Sequence, residues 1–366
     1  MRIAFVSHTY VSRAARAKLR ALAGLGCTVA VAVPARWPGR ERGGTVETQW
    51  EDDGGVRVVP VPVRGDPAVP GELHWDVRAL RRLLKDFRPD LLQIEEEPTS
   101  RIAARGTAEA RGLGIRCVVF TWYSLDVAPP LAQRLRRRRV LKRVAGLISG
   151  NRLADGVIAQ LDTNVPRTVI PQIGITAPAV ASVTGEALAL GFIGRLVPEK
   201  GLDVLLSACA RVAGEWTLDV VGTGPSQIEL EAQAERLGVS ARVTWHGALP
   251  KAELAALWPR LGCVVVPSRA TRDWVEVQGP VALEAMAHGI PAVVSATGAL
   301  PETVGEAGLV VPEDDAPALT AALQRLVDEP GLRSRLGGDA RRRVMALFTS
   351  EAIAHRQLEF LRTVTE

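Results

Sequence analysis

Two carboxylates eight positions apart, Glu276 and Glu284, bracket a Gly-Pro step in the stretch E-V-Q-G-P-V-A-L-E-A-M-A-H-G-I-P. Pro280 suits a first helical turn, Val281 to His288 are good helix formers, and Gly289 followed by Pro291 is a stop signal. The stretch reads as a loop holding Glu276 that runs into a helix holding Glu284. A loop of this kind, with Gly279, Pro280 and Val281 at the helix start, offers backbone N–H groups and the positive end of a helix dipole to phosphate or developing negative charge. Earlier in the chain, the apolar run Ala187 to Ile193 ends in G-R-L-V-P-E-K-G, Gly194 to Gly201, before an amphipathic segment. Arg195 and Lys200 flank a loop at the end of a strand, where open α/β sheets place ligands. An arginine fork and a movable lysine suit a pyrophosphate. Singly, such residues serve solubility more often than binding; their combination with the later glutamates points to a phosphorylated ligand.

Strands and helices alternate along the whole chain, which predicts parallel sheets with crossover helices. In the first half the pattern predicts strands at Arg2–Ser7, Thr28–Pro34, Val56–Val63, Asp90–Ile94, Arg116–Trp122 and Gly146–Ser149. Helices are expected at Ala14–Leu25, Leu73–Phe87 and Arg101–Leu113, and an irregular piece at Gly156–Ile158. The second half repeats the plan, with strands at Leu188–Ile193, Trp216–Val221, Val243–Trp245, Cys263–Pro267, Ala292–Ser295 and Leu309–Val311. Residues 174–186, rich in Ala, Pro, Gly and Thr, read as a linker. The expected division is a domain at 1–173, a second at 187–347, and a final helical segment at 348–366.

At 366 residues and 47% hydrophobic content the chain can build two cores. No apolar run approaches the length of a membrane span, and the start M-R-I-A-F-V reads as a strand without a leader pattern, so the expected location is the cytoplasm. Cys27, Cys117, Cys209 and Cys263 are far apart and sit in apolar segments, which predicts buried thiols and neither zinc nor disulfide. The net charge of +5 fits phosphorylated ligands without proving them. Gln133 to Arg143 carries seven cationic side chains with Leu135, Val140 and Leu141 between them. That composition fits either a solvated, arginine-rich helix face or, over Arg134–Arg143, a peripheral contact with an anionic membrane. It lacks the aromatics that would stack nucleic-acid bases.

Three motifs occur in order: G-R-L-V-P-E-K-G, V-G-T-G-P at Val221 to Pro225, and E-x7-E-A-M-A-x-G at Glu276 to Gly289, followed by G-A-L-P-E at Gly298 to Glu302. Together they resemble the retaining glycosyltransferases of family 4, also called glycosyl transferases group 1. The resemblance covers nearly all of the second half and continues more weakly through the first. It implies the GT-B fold: two Rossmann-like doubly wound domains facing a cleft, the first binding acceptor and the second nucleotide-sugar, with the C-terminal helix crossing back to the first. By the same resemblance, Arg195 and Lys200 clamp the donor diphosphate and Glu284 accepts the ribose hydroxyls. Glu276 contacts the donor sugar or stabilises its transition state, Gly194, Gly222 and Gly224 let the chain pass close to the nucleotide, and the amides around Val277 to Val281 bind phosphate or sugar.

The implied reaction is transfer of a glycosyl group to a saccharide or lipid-linked acceptor with retention of configuration, an EC 2.4 activity of polysaccharide or glycolipid assembly. With two cations on the leaving group and no D-x-D motif, no metal or other cofactor is expected. The first half departs from the family pattern: H-T-Y-V-S-R-A-A stands where a Gly-Gly loop is common, and T-W-Y-S-L-D where a histidine is common. His8, Tyr123, Ser124 and Glu95 are the acceptor-side candidates in their place, with Asp126 a further one. A non-catalytic nucleotide-sugar or carbohydrate-binding protein and a GT-B epimerase are the alternatives. A nicotinamide oxidoreductase does not fit, because no G-x-G-x-x-G follows the first strand.

Overall fold

The computed structural model describes residues 1–38, 44–125, 129–161, 163–178 and 187–365. They form two compact units, Met1–Thr176 with Ser350–Glu366, and Ala177–Thr349. Most of the expected linker at 174–186, and Asp126, lie outside the described residues.

The first unit is built on strands β1 (Arg2–Val6), β2 (Thr28–Pro34), β3 (Val56–Val61), β4 (Leu91–Ile94), β5 (Arg116–Thr121), β6 (Gly146–Ser149) and β7 (Arg167–Val169). Their spatial order is β7-β6-β5-β4-β1-β2-β3, with the short strand Glu51–Asp52 added antiparallel at the edge. Side chains alternate across this sheet and feed two cores. Ile3 and Phe5 pack with helix α1 (Ala17–Gly24), while Ala4 and Val6 pack with α2 (Val77–Phe87) and α3 (Arg101–Gly112). Being covered on both faces, the central strands are apolar throughout, as a parallel sheet requires.

Ahead of the second unit's last helices, the chain adds α4 (Leu131–Leu141) and α5 (Arg152–Ala159) to the first unit. The second unit has strands β8 (Leu188–Ile193), β9 (Trp216–Val221), β10 (Val243–Gly247), β11 (Cys263–Val266), β12 (Ala292–Ser295) and β13 (Leu309–Val311). Their order is β10-β9-β8-β11-β12-β13, all parallel. Helices α6 (Leu202–Cys209), α7 (Gln227–Arg236), α8 (Lys251–Leu257), α9 (Pro280–Ala287), α10 (Leu300–Val304), α11 (Ala316–Asp328) and α12 (Pro330–Leu347) follow these strands. In both sheets the strand order reverses beside the unit's first strand, between β1 and β4 and between β8 and β11. Crevices at the carboxyl ends of such strands are where doubly wound sheets hold ligands.

The last helix, α13 (Ser350–Thr363), belongs to the first unit and packs on α1. Ile353, Leu358 and Leu361 are buried there. Three side chains tie the helix and its end to the sheet: Gln357 Nε2 donates to Gln93 Oε1 (2.8 Å), Arg356 Nη2 to the Val169 carbonyl (2.7 Å), and Arg116 Nη1 to the Val364 carbonyl (2.6 Å).

Three local expectations change. The helix expected from Leu73 begins at Val77, because Asp76 caps it by accepting from the Arg78 and Ala79 amides (2.9 and 3.1 Å). The preceding His74–Trp75 pairs antiparallel with Val63–Arg64. Gly156–Ile158 lies inside α5, whose cap is Asn151, accepting from the Ala154 amide at 2.7 Å. The segment expected to be helical from Ala14 opens with a 3-10 turn, Ala14–Arg16, before α1. All four cysteines are buried and unpaired.

Leu361 is fully buried between α13 and the first-unit core. Leu361→Ala is expected to destabilise this unit by about 2–5 kcal/mol, read by urea denaturation. A loss under about 0.5 kcal/mol, as for a surface position, would show that α13 contributes little to the core.

Candidate functional site

Both units place chemistry at the strand ends beside the reversal. In the second unit, a cavity of about 100 Å³ is lined by Gly194, Lys200, Glu276, Gly279, Pro280 and Val281, with Ser268 beside them. Six of the residues singled out in the sequence thus converge, from the loop after β8 and from the loop after β11 with the helix start that follows it. Lys200 Nζ pairs with Glu276 Oε1, and Ser268 Oγ donates to the same oxygen at 3.3 Å. Glu276 is 7% exposed, and the lysine is the cation that pairs with its carboxylate there. The Lys200 ammonium also lies over the Trp274 ring, 4.5 Å from its centroid, which confines it from a second side.

Backbone proximity explains why glycine occupies several of these loop positions. Gly201 has φ 70°, and a Cβ there would sit 2.0 Å from the Pro267 carbonyl oxygen. A Cβ on Gly222 would meet the Gly194 carbonyl at 1.8 Å, and one on Gly224 the Leu196 carbonyl at 2.2 Å. Gly298, in the G-A-L-P-E loop, would meet the Glu276 carbonyl at 2.0 Å, while the Ala299 amide donates to that same carbonyl at 2.7 Å. The G-A-L-P-E loop therefore holds the main chain of Glu276. Gly279, with φ 68°, is the residue before α9, and Pro280 opens the helix. The N-terminal end of α9 thus contributes to the cavity wall.

Two predicted residues stand apart. The Arg195 side chain is 64% exposed and pairs with Glu199 at 3.4 Å; it is not among the cavity's lining residues. Glu284 lies on the exposed side of α9. Its surroundings nevertheless push its carboxyl up by desolvation, with Lys251 pulling the other way.

In the first unit, His8 follows β1 and Glu95–Glu97 follow β4, bringing them together across the reversal. His8 Nδ1 is 2.5 Å from Glu96 Oε1, which also accepts from the His8 amide at 2.9 Å. The His8 ring stacks on Trp37, centroids 5.0 Å apart. Glu95, an acceptor-side candidate, points the other way. It is 2% exposed, and its carboxylate takes Lys18 Nζ (2.7 Å), Gln93 Nε2 (2.7 Å) and the Tyr10 hydroxyl (2.5 Å). Three partners and burial leave it a core residue with no face for an acceptor. Glu97 accepts from the Thr121 hydroxyl (2.6 Å) and the Trp122 amide (2.7 Å). Burial, joined by the Glu96 charge, raises its carboxyl to about 7, against the lowering effect of hydrogen bonds from Thr121 and from the Trp122 and Tyr123 amides. Ser124 Oγ donates to the Trp122 carbonyl (2.8 Å) and lies 3.1 Å from Asn151 Nδ2, and the Tyr123 amide donates to Thr121 Oγ1 (3.1 Å).

Sequence reasoning marked Glu95 to Glu97 only as an acidic run able to meet the acceptor or to sit as a solvated loop; it did not single out Glu96 as the partner of His8, nor Ser268 and Trp274. An E-E-E run after a strand was the only available signal for the acidic pair. In the arginine-rich segment read as a solvated face or a membrane contact, Leu135 of α4 is 44% exposed and Leu131, just before the segment, is 68% exposed, while Arg136 turns inward to Glu72. Among the described residues, no helix is long and apolar enough to cross a membrane.

A family profile described as Glycosyl transferases group 1 matches residues 187–329, and one described as Glycosyl transferase 4-like domain matches residues 11–171. The chain belongs to this family of GT-B glycosyltransferases. Among curated relatives, it is similar to a GDP-mannose-dependent alpha-(1-6)-phosphatidylinositol monomannoside mannosyltransferase of Mycolicibacterium smegmatis, 35% identical over 40% of this chain and 40% of that protein. It is also similar to the 2-deoxystreptamine glucosyltransferase of Streptomyces kanamyceticus, 28% identical over 70% of this chain and 73% of the relative. The match thus spans about two fifths of the first relative and nearly three quarters of the second. In fold it is similar to Anabaena Alr3699/HepE, solved in complex with UDP-glucose, with TM-score 0.68 and 16% identity over 99% of this chain and 100% of that one.

The Glu97 environment has a definite sign. Folded Glu97 holds its proton up to about pH 7, whereas unfolded glutamate loses it near pH 4.3. Between these values the folded state binds more protons, so this group makes stability fall as pH rises. Glu97→Gln, whose amide oxygen can still accept from the Trp122 amide while its NH2 donates to the Thr121 hydroxyl, is expected to flatten that decline. Urea midpoints at pH 5 and pH 7 that fall equally in both proteins would show that Glu97 ionises normally.

Proposed function

We propose that this chain is a retaining glycosyltransferase, moving a sugar from a nucleoside-diphosphate donor to a saccharide or lipid-linked acceptor without a metal ion. The observation that carries the reading is the Lys200–Glu276 pair, placed in a cavity at the strand reversal and bordered by the glycine-led start of α9. Donor glycosyl transfer builds positive charge on the sugar and negative charge on the departing diphosphate. A lysine and a helix N-terminus at one wall, with a carboxylate beside them, match that separation of charge. Arg195, exposed on the same loop, supplies a second cation able to swing onto the diphosphate. Glu284 accepts from the donor's ribose hydroxyls. In a front-face reaction the leaving phosphate oxygen takes the acceptor's proton, and no side-chain base is required.

On the acceptor side, His8 held by Glu96, together with Tyr123 and Ser124, is assigned to positioning the acceptor. The similar proteins named above use GDP-mannose or were solved with UDP-glucose, which supports a nucleotide-sugar donor without choosing its base.

Release of nucleoside diphosphate should be assayed against UDP-, GDP-, ADP- and TDP-sugars, first located by a ligand-dependent rise in melting temperature. Lys200→Ala is expected to lower turnover by about 10²–10³-fold, the cost of one preorganised donor to developing charge, and Glu276→Ala to abolish it. Donor binding without turnover, unaffected by either substitution, supports a binding protein instead. Interconversion of the sugar without transfer supports an epimerase, and activity lost in EDTA and restored by magnesium overturns metal independence.

A further inference from the structure

The arginines of α4 do not all face solvent. Between α3, α4 and the His74–Trp75 strand, on the first unit, lies a second cavity of about 680 Å³. Five arginines line it: Arg101 and Arg105 from α3, and Arg136, Arg139 and Arg143 from α4 or just beyond it. One carboxylate offsets them. Glu72 pairs with Arg101 (2.7 Å) and with Arg136, and these cations hold its carboxyl down at about 2. Glu72 thus stays ionised at any physiological pH, and the cavity keeps an excess of positive charge.

Two buried donors beside this cavity are left over. Trp75 is 6% exposed, yet its indole N–H has no hydrogen-bond partner among the described residues, and the same holds for Arg136 Nε. Burying a donor without a partner is destabilising, so such a group calls for an occupant. Trp75 lies on the cavity wall together with Leu73 and Ile102, which gives the site an apolar floor beneath its charges. A row of guanidinium groups with a buried indole donor matches an anion with several acceptor oxygens. A carboxylate or chloride would satisfy fewer of these donors.

We propose that this cavity is a binding site for a phosphate-bearing ligand, a phosphate ester or diphosphate whose oxygens take the free guanidinium edges beside Trp75. That ligand is either the headgroup of a lipid or a free phosphorylated molecule. The site is separate from the Lys200–Glu276 cavity, which lies in the other unit, and does not depend on the function proposed for it.

Pyrophosphate titrated into full-length protein carrying ¹⁵N-labelled tryptophan reads the site directly, the Trp75 indole signal being identified by its loss in Trp75→Phe. That signal is expected to move saturably. Arg105→Gln with Arg139→Gln, both exposed positions that the fold tolerates, should weaken the response by about tenfold or more per arginine. Lys200→Ala should leave it unchanged. A Trp75 signal that stays put, or moves identically in the double variant, overturns the proposal. Co-sedimentation with phosphatidylglycerol and phosphatidylcholine vesicles then separates the sources. Binding to the anionic vesicles alone, competed by pyrophosphate and lost in the double variant, assigns a lipid headgroup. A pyrophosphate response without vesicle binding assigns a free phosphorylated ligand. Vesicle binding that pyrophosphate and the double variant leave intact counts against the cavity.

Discussion

The contact between Lys200 and Glu276 sets the terms for the second unit. A carboxylate that is 7% exposed needs a compensating charge, since an unpaired buried ion costs several kcal/mol. The lysine comes from the loop after β8 and the glutamate from the loop after β11, so the pair can form only if those loops approach within contact distance. The glycines make that approach possible. Gly201 passes under the Pro267 carbonyl, Gly222 under that of Gly194, and Gly298 under that of Glu276 itself. Any side chain at these points would push the loops apart and leave the glutamate uncompensated. The same pair is also the one on which the proposed function rests, since an anionic donor would compete with Glu276 for the lysine.

The two units solve one topological problem with opposite chemistry. Each reverses its strand order beside its first strand, and each puts its ionisable residues at the resulting crevice. The second unit brings cations and a helix start there. The first brings three consecutive carboxylates and a histidine. That division is the one the proposed function calls on, with fixed positive charge for a phosphorylated leaving group and hydrogen-bonding partners for a hydroxylated acceptor.

Much of this could be read from the chain. The parallel strands announced themselves as unbroken apolar runs because both faces are covered, and Pro280 and Gly289 marked the ends of α9. The second-unit site was legible because its chemistry is local: E-x7-E, R-x4-K and the glycines lie within short motifs. The first-unit site was not, because neither His8 nor Glu96, which pair across 88 positions, lies in a short motif of the kind that marks Lys200 and Glu276. Glu95, Glu96 and Glu97 look alike in sequence, and only β4's pleat and its neighbours distinguish them. The irregular reading of Gly156–Ile158 failed for a different reason. Glycine weakens a helix by about 1 kcal/mol, which the Asn151 cap and the burial of Ala154 and Ile158 offset.

The fates of that glutamate triplet show how far environment governs chemistry at one strand end. Glu95 enters the core and is neutralised by Lys18, whose own burial lowers its proton affinity. Glu96 turns to the rim and fixes the His8 ring through both its amide and its Nδ1, leaving Nε2 as the ring's other nitrogen. Glu97 meets only neutral donors, and its carboxyl rises to about 7. One triplet therefore supplies a structural anion, an orienting anion and a carboxyl that changes charge near neutrality. Exchanging any two of their environments would bury an unpaired charge or free the histidine. The run cannot be treated as a solvated acidic loop, because its three side chains answer to three different constraints.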